Sequence, residues 1–123
     1  MRGVRENRRA VGSAYEDLAA RYLTESGFRI LARNYTVRGG ELDIVAVKER
    51  VIHFIEVKYR TSDDSGDPFE AVTARKMQRI TRAARVFLMK ERIGENVRMS
   101  FDVIGIFGNG TIHFLENAFD AVY

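Results

Sequence analysis

The chain has no cysteine. It can form neither a disulfide nor a cysteine-based zinc site, which fits a reducing compartment. Its only histidines are His53 and His113, too few for a zinc cluster, and both are expected at exposed strand positions or as satisfied hydrogen bonders. No stretch approaches the roughly 20 apolar residues that a membrane span needs. The arginine-rich start contains no apolar run, so it is not a secretory signal. Internal repeats, low-complexity tracts and linkers are also missing. These absences predict a cytoplasmic protein without membrane contact, with a basic, flexible arm over residues 1–12 and a single domain over 13–123.

What is present is an ordinary soluble composition on 123 residues, enough for one real core. The net charge of +3 is unevenly spread: residues 1–40 sum to +4, 41–67 to −3, 68–98 to +5 and 99–123 to −3. An acidic centre between basic segments suits a polyanion held by basic flanks. It is equally compatible with ordinary surface charge.

Ser13 to Ser26 reads as a helix, because Tyr15, Leu18, Ala19, Tyr22 and Leu23 share one face. Ser13 with Glu16 forms a capping-box pattern, and Gly27 is the stop. Phe28 to Val37 reads as a strand with Phe28, Ile30 and Ala32 inward, and Gly39-Gly40 as a bend. Glu41–Val47 and Val51–Tyr59 form a hairpin around a Lys48-Glu49-Arg50 turn. Thr61 to Asp67 is a polar, mobile loop. Asp67-Pro68 or Thr73 starts an amphipathic helix reaching about Arg92, apolar at Met77, Ile80, Ala84, Phe87 and Leu88 and basic on the other side. Val97–Phe107 and Thr111–Leu115 are strands around an Asn109-Gly110 turn. Glu116 to Tyr123 is expected as a terminal turn or helix. The order α-β-β-β-α-β-β makes an α/β sandwich on a central mixed sheet of about five strands flanked by helices.

The hairpin poses the chemical question. Charges are rarely buried unless paired or bound to metal, yet its apolar strands carry Glu41, Asp43, Glu56 and Lys58. Residues two apart share a strand face, and neighbouring strands lie about 4.8 Å apart. Asp43 and Glu56 can then converge. Such a pair suits Mg²⁺, which takes one or two carboxylates and keeps several waters. A lysine beside it can orient a water or steady charge developing on phosphorus. Phosphodiester hydrolysis needs these parts.

Asp43 followed by Glu56-Val57-Lys58 resembles the D-x(n)-E-x-K core of the PD-(D/E)XK, or restriction-endonuclease-like, nucleases. Leu42 stands where the name-giving proline would be. Glu16 matches the helix carboxylate of archaeal Holliday-junction resolvases. Nearly the whole chain, through AYEDLAARYLTESGFRILARNY, GGELDIVAV, FIEVKYR, Glu70 to Lys76 and SFDVIGI, resembles the YraN-like family of small bacterial proteins. The resemblance implies a restriction-endonuclease-like fold and Asp43, Glu56 and Glu16 around Mg²⁺ or Mn²⁺. It adds the Val57 carbonyl as a further ligand and Lys58 as the catalytic cation.

The implied activity is metal-dependent cleavage of structured, branched DNA. Arg38, Arg60, Arg75, Lys76, Arg79, Arg82 and Arg85 would track phosphates without reading sequence, and Glu41 and Gln78 are accessory candidates. The aromatic C-terminal tail offers a surface for a homodimer. Plainer roles stand beside these: Glu16 as a cap only, Glu41 as a surface charge, Asp43 in a salt bridge to Lys58, Glu56 and Lys58 as an edge-strand device, Asp102 paired with an arginine. The competing classes are a nucleic-acid-binding module that keeps the fold without cutting, and a structural adaptor with internally paired acids.

Overall fold

Alternation and helical period together sort the side chains onto two faces of one sheet. The computed structural model describes residues 4–60, 72–94 and 96–122, with only the backbone over 4–12. Its elements are α1 (Val4–Glu25), β1 (Arg29–Val37), β2 (Gly40–Lys48), β3 (Val51–Arg60), α2 (Ala74–Lys90), β4 (Arg98–Phe107) and β5 (Ile112–Phe119). The strands lie in the order β1-β2-β3-β4-β5, all neighbours antiparallel except β3 and β4. The parallel pair follows from the α2 crossover, since parallel neighbours need a long connection.

Along β3, Ile52 and Phe54 join Leu42, Val45, Phe101 and the α2 residues Ile80, Ala83, Ala84 and Phe87. Ile55 faces the other way, with Ile44, Ile104, Ile106 and the α1 residues Ala19 and Leu23. One helix thus covers each face. Phenylalanine rings step across the α2 side: Phe54 stacks on Phe101 at 5.5 Å and Phe101 on Phe119 at 5.3 Å between centroids. Among the described residues no helix is long and apolar enough to cross a membrane.

Three expected signals form as read. Thr73 caps α2, its hydroxyl accepting from the Lys76 N–H at 3.1 Å. Gly27, at φ +95°, closes α1: its N–H reaches the Thr24 carbonyl and the Phe28 N–H the Leu23 carbonyl, with Phe28 and Leu23 in one apolar cluster. Asn109-Gly110 turns β4 into β5.

Other readings are corrected. α1 begins at Val4, so Ser13 lies inside the helix and forms no capping box with Glu16. The β2–β3 turn is only Glu49-Arg50, both at positive φ, between the paired Lys48 and Val51. A bulge between Ile30 and Ala32 puts Ala32 on the α2 side, opposite Ile30. The segment Glu116–Phe119, expected as a turn or helix, continues β5 past a second bulge at Asn117. The tail's Phe119 is engaged with its own core on Phe101. The expected Thr61–Asp67 loop and the Asp67-Pro68 helix start lie outside the described residues.

Gly40 marks the closest approach of α2 to the sheet. A Cβ there would stand 2.3 Å from the Arg79 carbonyl oxygen and 3.1 Å from the Ala83 nitrogen. Both obstacles are backbone, so α2 itself must move. Gly40→Ala is expected to cost about 1–3 kcal/mol, the usual range for overpacking, read as a lower denaturation midpoint. An unchanged midpoint contradicts this packing.

Candidate metal centre and nucleic-acid interface

The site lies where the sheet forks. β2 and β3 pair from Lys48 and Val51 as far as Ile44 and Ile55, and no further. Beyond that point β2 stays with β1 down to Gly40, and β3 stays with β4 up to Arg60. The expected hairpin is therefore continuous only over its distal half. At the crotch the Val57 N–H, which has lost a ladder acceptor, donates to Asp43 Oδ2 at 2.8 Å. Asp43 and Glu56 stand near enough there for the charge of the first to act on the second.

Strand alternation turns Glu56 toward α2, where it is 6% exposed. Its Oε2 is buried and finds no hydrogen-bond partner among the described residues. Burial is the largest influence on this carboxyl, followed by the Asp43 charge, and together they push it up to about 7. Lys76 and Lys58 pull the other way. Asp43 is also raised, mainly by burial and further by Glu16, against the Val57 N–H and Lys76. Two desolvated carboxyls this close hold one proton between them more readily than two negative charges.

Lys76, counted in the sequence among the phosphate-tracking cations, sits instead against the acids. Its ammonium is 3.1 Å from Glu41 Oε1 and 3.6 Å from Glu56 Oε1. Burial lowers its pKa, but Glu56, Glu41 and Asp43 outweigh that and leave it raised. Glu41 is thereby an ion-pair partner of α2. Glu16 stands back: it is within electrostatic range of Asp43 and 4.0 Å from the Arg33 guanidinium, which Asp17 holds more closely at 2.7 Å. Among the described residues no three His, Cys, Asp or Glu side chains are arranged to hold a metal ion. The donor set nonetheless fits a hard cation. The unsatisfied Glu56 oxygen and the neighbouring Asp43 offer the one or two carboxylates that Mg²⁺ or Mn²⁺ uses, the remaining positions being filled by water. Beside the fork, Tyr15 and Tyr59 stack with ring centroids 3.8 Å apart.

The remaining basic residues gather on the outer side of α2. Arg75, Arg79, Arg82 and Arg85 line a cavity of about 370 Å³ together with Gln78, Thr81, Gly39 and Val122. Arg82 Nε donates to the Arg38 carbonyl at 2.7 Å, tying the β1–β2 bend to the helix. Gln78, an accessory candidate in the sequence, belongs to this arginine face. Arg38 is exposed, whereas Arg60 is half-buried, its Nε finding no partner among the described residues.

One polar cluster escaped the sequence reading. His53 takes the second of its two expected roles, a buried and satisfied hydrogen bonder, with its Nδ1 meeting Asp102 Oδ2 at 2.5 Å. Asp102 pairs with this histidine, with the Ser100 hydroxyl and with the Asn117 N–H, and with no arginine. The partners come from three strands, so no local spacing signals them. His113 is exposed, as expected, with Phe107 edge-on to its ring.

Comparison with known proteins adds the family. Residues 15–106 match the uncharacterised protein family UPF0102. A UPF0102 protein of Lachnoclostridium phytofermentans is 44% identical over 115 residues, covering 94% of this chain and 97% of that protein. One of Vibrio parahaemolyticus is 38% identical over 113 residues, covering 91% and 93%. One of Prosthecochloris aestuarii is 44% identical over 100 residues, covering 81% and 78%. The chain belongs to the UPF0102 family, the YraN-like family whose motifs it carries.

Proposed function

We propose that this protein is a metal-dependent endonuclease acting on structured DNA, with Asp43 and Glu56 as the carboxylates that hold Mg²⁺ or Mn²⁺. The observation that carries the reading is the fork itself: two desolvated carboxyls that act on each other, one with an oxygen that finds no partner among the described residues, beside a face of arginines. The Val57 carbonyl and waters complete the proposed ligand set, and Glu16 acts through water. When bound, the ion supplies polarisation of the phosphate and an acidified water. Lys58, within electrostatic reach of Glu56, orients the attacking water and offsets charge as it builds on phosphorus. Arg75, Arg79, Arg82 and Arg38 hold the backbone of the nucleic acid by charge, which makes binding salt-sensitive and indifferent to sequence.

One observation favours the non-catalytic module. Lys76 already neutralises part of the acid cluster from within, which leaves less charge there to draw in a metal ion. Incubation of branched, flap and linear DNA with Mg²⁺ or Mn²⁺ separates the two. Wild type is expected to cut, whereas Asp43→Ala and Lys58→Ala bind with the same salt slope and do not cut. Equal binding with no cleavage by any of the three selects the module. Absence of binding at low salt removes both readings.

A further inference from the structure

We infer that Lys76 is a tethered counter-cation that a divalent ion must displace from the Asp43–Glu56 pair, so that this lysine sets the metal concentration at which the site fills. The inference rests on the proposed metal role of that pair. Its basis is where the ammonium stands. Lys76 leaves the basic face of its own helix and bridges Glu41 at 3.1 Å and Glu56 at 3.6 Å. Thr73 caps the helix three residues earlier, and Gly40 lets the α2 backbone press onto β2, so the root of the side chain is fixed. The ammonium itself is less confined, because its side chain is 28% exposed.

The two partners differ in the same way. Glu41 is 44% exposed and close, whereas Glu56 is 6% exposed and more distant. A cation arriving at Glu56 therefore meets the longer of the two contacts. Lys76 can give up Glu56 while Glu41 still holds it at the rim. The structure thus contains a resting partner for the buried acid and a parking place for the lysine once that acid is taken.

The test measures Mn²⁺ binding by titration calorimetry and metal-free stability by thermal melting, with no DNA present. Removing the charge in Lys76→Met is expected to tighten Mn²⁺ binding about tenfold, lower the metal-free melting temperature and enlarge the rise in melting temperature on adding Mn²⁺. Lys76→Gln, which keeps a hydrogen-bond donor for Glu41, is expected to show the same tightening with a smaller loss of metal-free stability. It serves if the methionine variant does not fold. Lys76→Arg keeps the charge and is expected to bind as wild type does. Lys90→Met, at the far end of α2, controls for net charge and is expected to leave the affinity unchanged.

Equal affinity in wild type, Lys76→Met and Lys76→Gln overturns the inference while leaving the metal site standing. Weaker binding in both variants also overturns it, making Lys76 a support of the site. Tightening by Lys90→Met as large as that by Lys76→Met overturns it as a mere effect of net charge. Absence of Mn²⁺ binding in every variant removes the metal role of the pair, and the inference with it.

Discussion

Asp102→Ala is expected to destabilise the fold by about 3 kcal/mol, the upper end of the range for leaving a buried hydrogen-bonding group without its partner. Asp102 is fully buried on β4. One oxygen takes His53 Nδ1 at 2.5 Å, and the other takes the Ser100 hydroxyl and the Asn117 N–H. Alanine leaves these donors facing a void. Ser100 and Asn117 have a second arrangement, since the Ser100 hydroxyl also reaches Asn117 Oδ1 at 2.9 Å. His53 has no comparable recourse at Nδ1, and that sets most of the cost. Asp102→Asn is expected to fall between, because its oxygen still accepts while its amide meets a donor. Glu116→Ala, at an exposed position of β5, is expected to stay within about 0.5 kcal/mol of wild type. Denaturant melts check the series, and an Asp102→Ala midpoint at the wild-type value refutes it.

The second large effect is a loss of stability with rising pH that Glu56→Gln abolishes. Burial, then the Asp43 charge, raise Glu56 from 4.5 to about 7 in the folded state. The native protein therefore holds this proton more tightly than the unfolded chain. Stability is at its fullest below the ordinary carboxylate range, declines as pH climbs from about 4.5 to about 7, and is flat above. At about 1.4 kcal/mol per pKa unit the decline is on the order of 3 kcal/mol. Asp43, raised in the same direction, adds to it at the acid end. Lys76, raised from 10.5, stays charged throughout this window and does not change the slope. The metal-free wild type is thus expected to melt higher at about pH 4.5 than at about pH 7, with Glu56→Gln nearly level between about pH 5 and 7. Above pH 7, Mn²⁺ is expected to restore the wild type and not the variant. Parallel wild-type and variant curves from pH 4.5 to 8 would falsify the buried-carboxyl account.

Much of this was legible in the residues because it is local. The apolar period of α2, the Thr73 cap, the Gly27 stop and the Asn109-Gly110 turn each act within a few positions. The succession of elements along the chain, α-β-β-β-α-β-β, was legible for the same reason. What stayed hidden depends on distant partners or on exceptions to side-chain preference. Glu49 and Arg50 adopt positive φ, a conformation that neither residue advertises, so the turn was drawn one residue too long. Lys76 belongs by period to the basic side of its helix, and only the approach of β2 delivers Glu41 to it from 35 positions away. His53 and Asp102 are 49 positions apart. The fork was invisible for a different reason. A strand pattern reports which side chains face the core, not where two backbones part.

The bulges in the outer strands reach beyond this molecule. β1 is irregular between Ile30 and Ala32, with Asn34 at φ 52°, and β5 is irregular around Asn117, at φ 53°. These are the two margins of the sheet, where unpaired amides would otherwise template another chain. A kinked margin cannot zip against a straight one, and the arginines of β1 and the glutamate of β5 discourage the attempt. The sheet is thereby guarded against growing into fibres at both rims, while the opening between β2 and β3 lies inside it, away from either margin.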